Sequence, residues 1–337
     1  MAQTQITIIV TPRDRFCFTQ ESLETLYKNT DIPFELIYVD AGSPDHIRDY
    51  LLKQSQEKKF KLIRVEHYLT PNQTRNLAVK HITTPFAAFV ENDVAVAQGW
   101  LLALLSCAQD TGCALVCPLT CQDKPIHENI HYSGGDMEIK EENKDGAVNR
   151  FIHETMHHRQ GSKHFEINPP LQRAKVGYTE VHAFFIRTEF LAKINGFDEG
   201  VMSTRDHVDF SLNVRKAGGQ IYFEPKAVIT FMGHFTAPKL EKWEEAYYKL
   251  RWSDAWEFNS LRHISKKWGL TENTYFKNRY RRLGWRRRVF VIKPKIKDVK
   301  PRIFRRLLEE ILVAADKMEN NKIAREYAKK YGQGQRT

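Results

Sequence analysis

No run of this 337-residue chain stays apolar over the ~20 positions that a membrane-spanning helix needs, so no such helix is expected. A secretory signal is missing as well: Gln3-Thr4-Gln5 leads straight into Ile6-Thr7-Ile8-Ile9-Val10 with no basic segment ahead, and a cytoplasmic location is the expectation. Cysteine is scarce. Cys17, Cys107, Cys113, Cys117 and Cys121 form an odd set among apolar neighbours, the pattern of reduced, buried thiols rather than of a disulfide frame. The last three are spaced i, i+4, i+8 across a strand and its exit, which is unlike a zinc knuckle. Charge is unbalanced, with 52 Lys and Arg against 41 Asp and Glu and a net +11, yet no nucleic-acid-binding motif accompanies it. What is present is ordinary globular material. With 42% hydrophobic residues and 12% aromatics, the chain can build one large core, or one core with an appendage.

The stretch from Phe86 to Val96 carries the first functional signal, because an apolar strand stops abruptly at Glu91-Asn92-Asp93. Thr84-Pro85 ahead of it marks a turn, so the three polar residues fall at the carboxyl end of a strand buried on both faces. Ligands of open α/β sheets bind at that end. Carboxylates spaced i and i+2 there can hold a hard divalent cation, which such sites commonly share with substrate phosphates. The same spacing also occurs in solvated acidic turns.

Strand and helix signals alternate over the first ~115 residues at intervals suited to βαβ units. Strands are expected at Ile6 to Val10, Phe34 to Val39, Lys61 to Glu66, Phe86 to Val90 and Cys113 to Cys117. Helices are expected at Thr19 to Lys28, from Ser43-Pro44-Asp45 through Leu52, at Asn72 to His81 and at Gln98 to Ala108, with Ser43 as N-cap of the second. This order implies a mainly parallel sheet. Its rim gathers four loops, Thr11 to Arg15, Asp40 to Ser43, Thr70 to Arg75 and Glu91 to Asp93. Asp40 there can accept from a base or ribose, Arg13, Arg15 and Arg75 can meet a pyrophosphate, and Asp93 can carry a metal.

These residues resemble family 2 nucleotide-sugar glycosyltransferases of the GT-A fold. The match runs through Ile6 to Pro12, Tyr38 to Asp45 and Asn72 to Ala78, and Glu91-Asn92-Asp93 stands where that family has Asp-x-Asp. A second block matches at Phe184-Phe185-Ile186-Arg187, Asn195-Gly196-Phe197-Asp198-Glu199, and Asp206 to Phe210 running into Arg215 to Gly219, so that residues 5 to 235 are covered. The resemblance implies transfer of a sugar from a nucleoside diphosphate, with UDP as the default donor, to a hydroxyl of a glycan, lipid-linked or protein acceptor, by one inverting displacement. It further implies a nucleotide site at Thr11, Pro12, Arg13, Asp40, Arg75 and Asn92, with Mn2+ or Mg2+ at Asp93 and Glu91. The domain expected is a GT-A unit over 1–238, with a variable acceptor-side insertion at about 118–177, and a helical, basic extension over 239–337.

Two departures stand out. Where the family places a Glu-Asp pair whose second acid is the base, this chain has Asp206-His207. An imidazole, with an ordinary pKa near 6.5, suits general-base work at neutral pH. Asp206 could orient it or act as base itself; a degenerate site would instead make the protein a non-catalytic binder of a sugar nucleotide or carbohydrate. The second departure follows Glu224-Pro225, where relatives often carry a metal-binding histidine. Phe231 stands there, and His234, three residues on, is the candidate metal or phosphate ligand.

The segment from Pro118 to Gly177 is rich in histidine, and His153-Glu154-Thr155-Met156-His157 matches the His-Glu-x-x-His zinc peptidase pattern, a reading from another class. Gly161 and His164 come one residue too late for the metzincin extension, and one residue turns a helix by ~100°. Past Pro238, Glu241 to Phe258 looks helical and Ser265 to Lys297 interleaves basic and aromatic residues. That stretch suits an anionic membrane face, an acidic glycan, or aromatics that pack on the protein. Arg302 to Tyr331 reads as one or two amphipathic helices, with Ile303, Leu307, Ile311 and Leu312 on one face.

Overall fold

The computed structural model describes residues 4–144, 146–233 and 235–332; His234 and the tail from 333 lie outside them. Two compact units emerge. The first takes in Met1–Lys140, Ile152–Asp198 and Asp206–Ala237, and the second Glu141–Phe151, Glu199–Arg205 and Pro238–Thr337.

In the first unit, β1 (Ile6–Thr11), β2 (Glu35–Ala41), β3 (Lys61–Val65) and β4 (Phe86–Glu91) pair in parallel in the order β3-β2-β1-β4. The helices α1 (Thr19–Lys28), α2 (Asp45–Lys58) and α3 (Pro71–Val79) connect them. Beyond β4 the chain forms β5 (Val94–Val96), α4 (Trp100–Thr111), β6 (Leu115–Gln122), β7 (Ile130–Tyr132), the ribbon of β8 (Gly135–Lys144) and β9 (Ala147–Met156), and β10 (Ala174–Val176). The strand β11 (Ala183–Arg187), helices α5 (Thr188–Lys193) and α6 (Asp206–Lys216) and strand β12 (Ile221–Phe231) complete it. The large sheet runs β10-β12-β6-β11-β4-β1-β2-β3. It is mixed: β3-β2-β1-β4 and β6-β12 pair in parallel, whereas β11 runs against β4 and β6, β10 and β5 against β12, and β7 against β6.

Burial explains why these apolar runs are strands. Every residue of β1 and β4 is buried, as strands covered on both faces must be. The register Val10↔Val90 and Thr11↔Glu91 brings the two strand ends level, so Pro12 to Arg15 and Asn92-Asp93 leave the sheet side by side. Under them Phe89 stacks on Phe184 at 4.9 Å, and Phe197 and Phe210 pack edge-on or tilted at about the same range, with ring centroids 4.8–5.2 Å from their neighbours. Aromatic contacts of this kind add about 0.5–1.5 kcal/mol each beyond area burial. They seat α6, whose first residue is Asp206, against β4 and β11.

Helix ends differ in detail from the sequence expectation. Ser43 does not cap α2; its hydroxyl donates to Asp40 Oδ2 at 2.8 Å, and Pro44 becomes the N-cap. The helix also runs past Leu52 to Lys58, because Ile47 and Leu51 bury a face and Lys59 adopts the left-handed conformation only beyond it. At α3 the start is firmly set. Thr70 and Gln73 form a reciprocal capping box with Pro71 at the first helical position.

The second unit is helical. The span from Glu241 to Phe258 is not one helix but two, α7 (Lys242–Arg251) and α8 (Asp254–Lys267), because the Ser253 hydroxyl accepts from Trp256 N and starts a new helix. Arg287 bridges Asp254 and Asp316 at 2.8 Å each; Tyr247 and Trp256 of α7 and α8 are buried, whereas of the aromatics in the basic stretch Ser265 to Lys297 only Phe276 is. A helix over Arg302–Tyr331 ends the chain's described part.

Candidate active site

Asp93 is the centre of the rim. It is fully buried just beyond β4, and neither carboxylate oxygen has a hydrogen-bond partner among the described residues. Burial, with the nearby Glu91 and Asp14 carboxylates, pushes its pKa well above the ordinary carboxylate range. A buried carboxylate left in this state is costly unless a cation joins it. The donor set therefore fits a hard divalent ion.

Around it lies a buried ion network. Glu91 Oε1 accepts from Arg13 Nη1 at 2.6 Å and from Arg75 Nη2 at 3.1 Å, and Oε2 lies 2.7 Å from His182 Nδ1. Both arginines also reach Asp206 Oδ2, Arg75 at 3.0 Å and Arg13 at 3.5 Å. Burial opposes the Arg13 charge, but Glu91, Asp206 and Asp14 outweigh it and hold its pKa well above the ordinary value. Burial likewise raises the Glu91 pKa, and the two arginines only partly offset that.

The motif Asn72 to Asn76 is what fixes Arg75. Asn76 accepts from Phe197 N and donates to Phe197 O, both at 2.8 Å, and Asn72 Nδ2 donates to Asp198 O at 2.8 Å. Arg75 then lies over the Phe197 ring, with its guanidinium carbon 5.6 Å from the centroid. Gly196 is required at this junction. Its φ is +72°, and a Cβ there would stand 2.7 Å from Asn76 Oδ1.

The Glycosyl transferase family 2 profile matches residues 7–168. The chain is 27% identical over 223 residues to the pre-mycofactocin glycosyltransferase of Mycobacterium tuberculosis, an alignment that takes in 63% of this chain. This chain resembles the family 2 glycosyltransferases and has the GT-A fold. It spans about 40% of the length of that curated relative. Among solved structures, the S. aureus TarS 1-349 complex with UDP-GlcNAc superposes with a TM-score of 0.52 at 17% identity, covering 97% of this chain and 92% of the other. GalNAc-T7 with UDP, GalNAc and Mn2+ gives 0.51 at 14%, covering 83% of this chain and 53% of the other. At those identities the likeness is one of fold.

Within the GT-A frame the expected site residues sort into distinct positions. Asp93 has neither oxygen hydrogen-bonded among the described residues, whereas Glu91, expected beside it as a metal ligand, has both oxygens engaged. Arg13 and Arg75, expected to meet a pyrophosphate, direct their forks at Glu91 and Asp206. Asn92 clasps the chain leaving β1: its side-chain oxygen accepts from Arg13 N at 3.1 Å, and its Nδ2 donates to Arg15 O and Thr19 Oγ1. Thr11 and Pro12 line the end of β1 and are buried. Asp40 is tied to Ser43 and, at 2.5 Å, to Arg64. Arg64 was not singled out in the sequence; it is the cross-strand partner of Asp40 between β2 and β3, and opposite charges at paired strand ends are its signal.

At α6, Asp206 is held by the two arginines, while His207 Nε2 lies 3.6 Å from Glu154 Oε1. Glu154 belongs to the His-Glu-x-x-His stretch, and here the structure corrects the peptidase reading. His153 to Met156 lie on strand β9 and His157 just past its end, so the stretch is extended rather than helical. At ~3.3 Å per residue, His153 and His157 are ~13 Å apart along an extended chain and cannot share one ion. His157 pairs instead with Asp136 at 3.1 Å. The five cysteines are reduced and four are buried, as expected.

Proposed function

We propose that this chain is a glycosyltransferase that moves a hexosyl or N-acetylhexosaminyl group from a nucleoside diphosphate sugar, UDP-linked by preference, to a hydroxyl acceptor with inversion. The observation that carries the reading is Asp93, a fully buried carboxylate without a hydrogen-bond partner among the described residues, at the strand end where GT-A folds gather their donor loops. Asp93 would hold a divalent ion, Mn2+ or Mg2+, and such an ion would neutralise charge on the leaving diphosphate. The residues of the chain itself do the rest. Thr11, Pro12 and Asp40 border the nucleotide, with Asp40 held in place by Arg64 and Ser43. Arg13 and Arg75 keep positive charge beneath the rim without surrendering their own carboxylate partners, so they act through the field rather than by contact.

His207 is the base in this proposal. Asp206 accepts from Arg75 and is ion-paired with Arg13, which weakens it as a proton acceptor, whereas His207 stands at ion-pairing distance from Glu154. As the acceptor hydroxyl attacks, the imidazole takes its proton at Nδ1, and the Glu154 carboxylate beside Nε2 stabilises the imidazolium. Glu154 is thus a positioning residue.

The basic end supports a peripheral role. On the helix Arg302–Tyr331, Ile303, Phe304, Leu307 and Ile311 fall within an arc of ~100° and are each more than half exposed, with Arg302, Arg305 and Arg306 beside them. An apolar strip flanked by arginines suits an anionic membrane surface. No described helix is long and apolar enough to cross a membrane.

The transferase reading is tested by incubating purified protein with UDP-glucose, UDP-galactose, UDP-GlcNAc and UDP-GalNAc plus Mn2+ and measuring released UDP. Release that EDTA abolishes is the expected result. Nucleotide binding with no release from any donor would favour a non-catalytic binder on the same fold.

A further inference from the structure

Three donor side chains other than Asp93 converge on one point. His131 on β7, and Glu180 and His182 just ahead of β11, each bring a ligand atom within 4.8 Å of the other two. The two imidazole centroids stand 5.1 Å apart, with the rings at 80°. Zinc–nitrogen bonds of about 2.0–2.1 Å put a ring centroid ~3 Å from the metal, so two rings at a tetrahedral angle have centroids ~5 Å apart. The histidines already have that separation. Donor atoms around a tetrahedral ion lie ~3.4 Å from one another, so a small side-chain rotation would close the third ligand in.

The supports behind the rings are those of ligating histidines. His182 Nδ1 donates to Glu91 Oε2 at 2.7 Å, the carboxylate–histidine arrangement that fixes the tautomer and presents Nε2 to an ion. With its proton on Nδ1, His131 donates to Gln122 Oε1 at 2.9 Å, and Gln160 Nε2 donates to the same oxygen at 2.9 Å. Phe231 stacks on His182 with centroids 4.1 Å apart, limiting its rotation. Two imidazoles and one carboxylate select borderline first-row ions such as Zn2+, Co2+ or Ni2+ over Mg2+, Ca2+ and Mn2+.

We infer that His131, Glu180 and His182 form a cation site for a first-row transition-metal ion, with a ligand set that does not include Asp93. It does not rest on the transferase reading. An ion on His182 would fix Glu91, and through it the two arginines that Glu91 binds, so occupancy of this site sets the rigidity of the network beneath the rim.

The test is a Co2+ titration of the full chain after chelator treatment, followed by visible d–d absorption. The wild type is expected to give a saturable band that Zn2+ displaces and that Asp93→Asn retains. Glu180→Gln and His131→Gln are expected to weaken Co2+ binding at least as much as loss of a supporting group does, about 10- to 100-fold, with unchanged far-UV circular dichroism. His131 is only half-buried, so its variant decides if Glu180→Gln does not fold. The inference is overturned by a wild type with no band, by variants that bind Co2+ as the wild type does, or by loss of the band in Asp93→Asn.

Discussion

Replacing Asp93 by asparagine should make the metal-free protein more stable at neutral pH, which is the reverse of what most buried substitutions do. Burial and the neighbouring carboxylates raise the Asp93 pKa in the fold, while in the unfolded chain it returns to about 3.9. The folded state then binds one proton more than the unfolded state over the interval between the two values. Stability is thus fully present below the unfolded pKa and falls as pH rises toward the folded one, with a slope of at most about 1.4 kcal/mol per pH unit. For a domain of this size a change of 1 kcal/mol moves Tm by about 2–4 °C, so the slope amounts to roughly 3–6 °C per pH unit. The assay is thermal unfolding of wild type and Asp93→Asn in EDTA from pH 5 to 8, and the difference between them cancels the other titrating groups. The variant should gain on the wild type as pH rises toward the folded-state pKa of Asp93 and hold that gain beyond it, and added Mn2+ should raise the wild type alone. A difference that stays flat with pH would mean that Asp93 is ionised and satisfied inside the fold, and the reasoning would fail.

Three further outcomes follow from particular contacts. Asn76→Ala removes two hydrogen bonds to Phe197 and unseats the support of Arg75; a loss of about 2 kcal/mol is expected by urea unfolding, and a loss under 0.5 kcal/mol would show the clamp to be idle. His207→Ala should lower kcat by about 10²–10⁴ with KM for the donor little changed, whereas Glu154→Gln should give a smaller loss and an altered pH profile; equal effects on kcat and KM would mark a structural role. Replacing Leu307 and Ile311 together by aspartate should abolish flotation with phosphatidylglycerol vesicles and leave folding intact, since both side chains are more than half exposed. Retained flotation would remove the membrane reading, and a change from dimer to monomer would assign the strip to a second copy.

The sheet could be read from the sequence because its strands are uninterrupted apolar runs ended by polar residues, and four of the five expected strands lie within two residues of their observed limits at both ends. Helix and strand limits were harder where side chains had other partners. Ser43 has the sequence context of a cap, but its hydroxyl serves Asp40 and Arg64. The Asp-x-Asp-like element was visible as Glu91-Asn92-Asp93, yet the division of labour inside it was not. Apart from Arg75, the partners on which Glu91 and Asn92 are spent lie 73 to 91 residues away, Arg13 and His182 among them, and no local pattern encodes such pairings. The histidine-rich segment misled for a related reason. Its spacing matches a helical motif, and only the β8–β9 ribbon reveals that Glu154 faces His207 instead.

The most direct test of the account is calorimetric titration of the full chain with UDP, GDP, ADP, TDP and CDP, each with Mn2+ and again with EDTA. The account predicts that one nucleotide, UDP first, binds with Mn2+ and loses at least tenfold in affinity in EDTA, because Asp93 has no other partner among the described residues to offer its charge. Binding of no nucleotide to a natively folded protein, or binding indifferent to the chelator, would contradict it.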